Sequence, residues 1–241
     1  MVIPELTISA WLRFGSIRRA LAVARPRRLL EVGAGEGGLG VWLARYVDYV
    51  GVEPDRTSRA VASERLRALR RGEVFEALAD GDRRRYDAVC AFEVLEHIQD
   101  DRDALRSWRE KLEPRGHLLL SVPAHPAQFG LSDRYVGHFR RYDRGALRAL
   151  LETEGFEILQ WHSYGAGLGH AIDRFRNFFL SRRAATSTAA EGTALSGRLF
   201  QPRSGVRVLV NYLTALPFRV LQLPFASSDI GIGYVVLARL R

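Results

Sequence analysis

The sequence predicts an α/β fold: a seven-stranded, mostly parallel sheet with helices on both faces and a helical insertion ahead of the last strand. Three observations carry this. Short apolar runs alternate with helix-length segments up to about residue 163, the order of a parallel sheet built from strand–helix units. A glycine-rich turn, Gly33-Ala-Gly-Glu-Gly-Gly38, directly follows the first apolar run. Acidic residues (Glu53, Asp80, Glu93) close the later runs, where the carboxyl ends of parallel strands receive ligands.

In chain order, residues 1–26 form a helical preamble. Leu29 to Val32 is the first strand, and the glycine turn opens a helix over Leu39 to Tyr46. Asp48 to Val52, Val74 to Leu78 and Tyr86 to Phe92 are the next three strands. Leu112 to Pro123 holds a helix end, a Pro-Gly turn and a fifth strand. Asp143 is the expected N-cap of a helix running to Glu154, stopped by Gly155. Phe156 to Ser163 and Gly231 to Arg239 are strands six and seven. The expected division is therefore a cofactor-binding core over 1–163, an insertion over 164–229, and the last core strand over 230–241.

The gap between the last two strands is far too long for a hairpin loop and must carry structure of its own. His170 to Arg183 reads as an aromatic, arginine-bearing helix. Ala184 to Ser196 is poor in large apolar residues and is expected to be mobile. Val206 to Phe225 is apolar, but Pro217, Pro224, Arg207 and Arg219 argue against a membrane span. The first expectation is a lid over a substrate pocket. Packing against the sheet or a dimer partner, and docking on a membrane surface, are the alternatives.

The net charge of +9 raises the question of a polyanionic partner. Lys111 is the only lysine, however, and most arginines are scattered along predicted helices, as on solvated faces. Nucleic acid is therefore the less favoured partner. The single cysteine, Cys90, lies mid-strand, which excludes a disulfide framework and a cysteine zinc site. Arginines interrupt the apolar residues near the N-terminus, so no secretory signal is expected and the expected location is the cytoplasm. Composition does not distinguish a monomer from a homodimer.

The glycine turn fits a dinucleotide fingerprint, but Glu31 sits poorly beside a pyrophosphate and suits a ligand with an ammonium group. Glu53, roughly 20 residues on, is placed to accept both ribose hydroxyls of a nucleoside. Asp80 is placed for an adenine amino group. Together these favour S-adenosylmethionine over NAD. Glu31/Gly33/Gly35/Gly37, Glu53, Tyr86-to-Glu93 and Pro114-Arg-Gly116 resemble, in order and spacing, the motifs of class I S-adenosylmethionine-dependent methyltransferases. The resemblance covers roughly residues 27–163 and the last strand. It implies a Rossmann-like fold whose last two strands form an antiparallel hairpin, with Phe92 among the cofactor contacts.

If a helical turn begins at Glu93, then Glu93, Glu96 and His97 face one way. Two carboxylates and an imidazole suit an oxygen-preferring divalent cation, magnesium or manganese. His138 comes after the fifth strand and returns over the same strand ends. This E-x-x-E-H block with a distant histidine is similar to metal-dependent O-methyltransferases, which implies Glu93, Glu96, His97 and His138 as ligands. In a metal-free alternative, His97 or His138 acts as general base. The expected reaction is methyl transfer to a hydroxyl of a small molecule: a sugar, glycolipid, polyketide-like or quinone acceptor. An RNA 2′-O-methyltransferase and a non-catalytic cofactor-binding subunit are the other readings. His125, at a strand end, is a further pocket candidate.

Overall fold

The computed structural model describes residues 4–79, 83–182 and 205–241. Asp80 and the stretch 184–196 lie outside the described residues.

Seven strands form one sheet: β1 (Arg28–Val32), β2 (Asp48–Val52), β3 (Glu73–Phe75), β4 (Tyr86–Phe92), β5 (Leu112–Pro123), β6 (Phe156–Tyr164) and β7 (Gly233–Leu240). Their order is β3-β2-β1-β4-β5-β7-β6. Pairing is parallel from β3 through to β5, and β7 runs antiparallel between β5 and β6. The chain winds outward from β1 to β3, then returns to start β4 beside β1. Connections therefore leave the carboxyl ends of β1 and β4 in opposite directions, opening a crevice there.

Strand residues alternate between two cores. Leu30, Val50, Val89, Leu118, Leu120 and Val236 face α4 (Asp101–Glu110) and α6 (Arg144–Thr153), meeting Leu105, Trp108, Leu147 and Leu151. Leu29, Tyr49, Cys90, Leu119 and Leu237 face the other way, onto α1 (Ile8–Ala24), α2 (Gly40–Leu43) and α3 (Arg56–Leu69), meeting Leu12, Ile17, Leu43 and Leu66. This period of two is what buries both faces of a sheet. Cys90 is wholly buried, the small core residue its mid-strand position implies.

Several elements differ in extent from the sequence reading. The helix after the glycine turn is a single turn, after which Arg45 N and Tyr46 N bond back only three residues; at its start Gly40 packs so tightly on Tyr49 that a Cβ there would meet its hydroxyl. β3 ends at Phe75 rather than Leu78, as suits a short edge strand. β5 begins pairing at Leu112, and its register with β4 slips between Tyr86 and Ala88, with Arg115 left-handed (φ 63°). The Pro-Gly turn is thus an irregularity within one strand. Asp143 caps α6 as expected, accepting from Ala146 N.

Between β6 and β7 lie α7 (Leu168–Arg182) and α8 (Gly205–Leu221), followed by a 3-10 turn, Leu223–Phe225. α8 packs on α1, where Leu6, Trp11, Phe14 and Ala215 form a third cluster. Among the described residues no helix is long and apolar enough to cross a membrane.

Candidate active site

Three glycines after β1 take left-handed backbone: Gly33 (φ 73°), Gly35 (φ 56°) and Gly37 (φ 76°). A Cβ on Gly33 would lie 2.5 Å from Val94, and one on Gly37 would lie 3.0 Å from Ala62. Those two glycines let the loop pack against β4's exit and against α3. Gly35 differs: nothing lies within 4 Å of where its Cβ would be. Its bare side faces open space, as close approach by a ligand requires. Glu53 braces the loop, with Oε2 accepting from Gly35 N (2.7 Å) and Oε1 from Asp55 N (2.9 Å).

Glu31 is buried beneath this loop and accepts a hydrogen bond from Tyr49 Oη at 2.6 Å. Burial pushes its carboxyl up to about 7, and the charge of Glu53 adds to the rise. Two groups oppose the shift: the Tyr49 hydroxyl and the guanidinium of Arg13.

Arg13, on α1, escaped the sequence reading. Burial by itself would lower its pKa, but Glu93, Tyr164 and Glu96 outweigh this and raise it. α1 thus brings a cation into an otherwise acidic cleft. No motif marks it, and only the folded chain brings the preamble over the strand ends.

β4 ends at Phe92, which is buried. Glu93 then takes a left-handed conformation (φ 58°), uncommon for a residue with a side chain. The helical projection from Glu93 therefore fails. Its Oε1 accepts from Ser121 Oγ (2.7 Å) and Tyr164 Oη (3.0 Å), turning towards β5 and β6. The next residues form a 3-10 turn, Leu95–His97. Ligand atoms of Glu96, His97 and His138 lie within 4.8 Å of one another, and Glu93 stands outside that group.

Glu96 is fully buried, and neither of its carboxylate oxygens has a hydrogen-bond partner. Burial first, and then the charge of Glu93, push its carboxyl well above the usual range. His97 Nδ1 is likewise buried without a partner. Burial and the neighbouring His138 lower the His97 pKa to about 4, so the ring is neutral at physiological pH. The two imidazoles meet edge to face, 4.6 Å between centroids.

His138 follows α5 (Leu131–Val136) and is held by Asp133, whose Oδ1 lies 2.8 Å from His138 Nδ1. Asp133 is completely buried and also receives a two-pronged contact from Arg141 at 2.9 and 2.8 Å. Burial alone would raise its pKa, but the bonds from His138 and Arg141 hold it below the ordinary carboxylate range. An ionised Asp133 only accepts, so the His138 proton sits on Nδ1. The other ring nitrogen, Nε2, lies 3.8 Å from Glu96 Oε1 and carries a lone pair in the neutral ring. Arg141 continues to Asp173 of α7 at 2.8 Å, which ties the insertion to this network. His125, by contrast, engages the carbonyl of Gly231 at 2.9 Å.

Residues 12–161 match a family described as methyltransferase domain. The chain belongs to this family, the class I S-adenosylmethionine-dependent methyltransferases. It is 36% identical over 198 residues to a ubiquinone biosynthesis O-methyltransferase of Azorhizobium caulinodans, covering 80% of this chain and 70% of that one. A protein of the same description from Alkalilimnicola ehrlichii is 34% identical over 119 residues, and the match spans only about half of either chain (46% and 47%). In fold the chain is similar to coclaurine N-methyltransferase bound to N-methylheliamine and SAH, with a TM-score of 0.59 at 14% identity over 94% of this chain and 72% of that one. The glycine loop lies at the carboxyl end of β1, beside the crevice. A surface hollow of about 460 Å³ beside Arg27, Tyr46 and Arg71 sits at the opposite ends of the strands.

Proposed function

We propose that this methyltransferase moves the sulfonium methyl of S-adenosylmethionine to a hydroxyl of a small molecule, with a ring bearing adjacent hydroxyls, of quinone type, as the preferred acceptor. The observation that carries this is the convergence of Glu96, His97 and His138 at the end of β4, across the crevice from the glycine loop. The O-methyltransferase descriptions of the relatives support it.

Cofactor binding is assigned to Glu31, Gly33, Gly35, Gly37, Glu53 and Phe92. The open flank of Gly35 admits the nucleoside. Glu53 offers carboxylate lone pairs to the ribose hydroxyls, and Glu31 ionises to meet the ammonium group. Arg13 is suited to the cofactor's carboxylate.

The donor set also fits a divalent cation. Buried oxygens without partners are costly, and Glu96 has two of them. Glu96, His97 and His138 would hold magnesium or manganese, and a bound cation lowers the pKa of a coordinated hydroxyl. Asp133 fixes the tautomer that presents Nε2, the arrangement by which ligating histidines are oriented. The acceptor hydroxyl would lose its proton to solvent, its oxygen would attack the methyl carbon, and the carbon–sulfur bond would break with its electron pair left on the sulfur of departing S-adenosylhomocysteine.

The Asp133–His138 pair favours a second reading, in which Nε2 takes the acceptor's proton directly and Asp133 stabilises the imidazolium. Turnover of catechol-type acceptors with methyl-deuterated cofactor, followed by mass spectrometry with and without a chelator, tests both. Loss of O-methyl product in chelator and its return with magnesium supports the cation. Full turnover in chelator leaves direct base catalysis. Methylation confined to nitrogen acceptors would refute the proposal.

A further inference from the structure

The insertion touches the His138 turn through α7, and it does so at two points. Arg141, almost wholly buried, bridges Asp133 and Asp173 of α7. Asp173 is itself pinned by Arg176, one turn further along the same helix, at 2.6 Å. The second point is Asn177, whose Oδ1 accepts from Ser132 N of α5 at 2.8 Å.

That second bond supplies something α5 lacks. α5 is six residues long, too short to hold a helix by its own backbone bonds. Its N-cap is Gly130, which has no side chain to receive the amides of the first turn. Asn177 stands in for the missing cap, reaching across from another helix. Its amide nitrogen donates to the Asp173 carbonyl at 2.9 Å, which sets the orientation of the amide.

Glycine at 130 follows from this arrangement. Gly130 is extended (φ −134°, ψ −166°), a conformation usual for an N-cap of any type, so its backbone does not demand glycine. A Cβ there, however, would lie 2.8 Å from Asn177 Oδ1. The space that a capping serine would use is filled by the side chain of α7.

What α5 delivers is the imidazole. Asp133 Oδ2 accepts from Gly130 N at 2.8 Å, and Oδ1 lies 2.8 Å from His138 Nδ1. Fraying at the first turn of α5 therefore moves Asp133, and His138 with it.

We infer that Asn177 and Asp173 are positioning residues for His138: Asn177 caps α5 from outside, and Asp173 holds Arg141 against Asp133. Their effect on turnover rests on the proposed role of His138; their hold on the ring does not.

Proton exchange at His138 Nδ1–H measures that hold directly. It is followed by NMR of the full chain carrying 15N-labelled histidine, with the signal assigned by its loss in His138→Gln. Asn177→Ala should speed the exchange at least about tenfold. The same variant should lower kcat on a catechol-type acceptor about tenfold and leave the KM for S-adenosylmethionine unchanged. Adding Gly130→Ser to Asn177→Ala places a cap of α5's own in the freed space and should restore both readouts. Gly130→Ser alone meets Asn177 and should impair both. Asp173→Asn should act in the same direction as Asn177→Ala. Wild-type exchange and kcat in Asn177→Ala would overturn the inference, as would a defect that Gly130→Ser leaves uncorrected. Full turnover in His138→Gln would instead overturn the proposed role of His138, and the exchange rates would still decide whether α7 holds the turn.

Discussion

Asp133 and His138 are joined twice: the His138 backbone N–H donates to the Asp133 carbonyl at 2.9 Å, and the side chains meet at 2.8 Å. Gly137, left-handed at φ 79°, closes α5 and lets the chain double back to make both bonds. The imidazole is therefore oriented by the same turn that delivers it.

Asp133→Asn should lower turnover by about 10–100-fold by releasing the His138 tautomer and ring orientation. It should also destabilise the fold by about 1–3 kcal/mol, because Arg141 keeps Asp173 as its one carboxylate partner. Thermal unfolding beside kcat separates the two effects. Unchanged turnover in the folded fraction would remove Asp133 from the mechanism.

Gly33 and Gly35 should respond differently to alanine. Each left-handed alanine costs roughly 1–2 kcal/mol. Gly33→Ala also drives a methyl into Val94, so its melting temperature should fall further. Gly35→Ala meets nothing in the free protein, and its main defect should be lost cofactor binding, read by calorimetry. Normal affinity in Gly35→Ala would mean that the ligand does not approach on that side.

The carboxyl of Glu31 is raised from 4.5 to about 7. The folded state therefore holds this proton more tightly than the unfolded chain does. Stability from this group is fully present below pH 4.5 and is lost as pH rises to about 7, a change on the order of 3 kcal/mol. Denaturant midpoints across this range should fall with pH, and Glu31→Gln should flatten the slope, leaving the contribution of Glu96, which has the same sign. An ammonium ligand favours the carboxylate, so cofactor binding between these pH values should release a proton, measurable by calorimetry in buffers of different ionisation enthalpy.

The glycine loop and its Glu53 brace were legible because they are local. Gly33, Gly35 and Gly37 follow a strand at fixed spacing, and Glu53 comes at the end of the next strand. The group at the end of β4 was legible only in part. Glu96, His97 and His138 were named from residue type and come together, but Glu93 was projected on a helix that its left-handed backbone does not make. No residue type in E-V-L-E-H announces that conformation. Arg13 and Asp133 were invisible for another reason. Arg13 lies on a helix without a motif, Asp133 on the short helix α5 within a stretch read as loop, and each acquires its role only from partners brought close by the fold. Tyr164 was assigned to the start of the insertion, but it is the last residue of β6, and its hydroxyl reaches Glu93 across 71 positions of sequence.

The most direct test of the account is Glu96→Gln, which keeps the shape and removes the ionisable carboxylate. Turnover of a catechol-type acceptor and cofactor affinity are measured on the same preparation. The account predicts that O-methyl product falls by at least about 100-fold and is not restored by magnesium or manganese, while S-adenosylhomocysteine affinity stays within about twofold. Wild-type turnover in this variant would contradict it and place the chemistry elsewhere in the cleft.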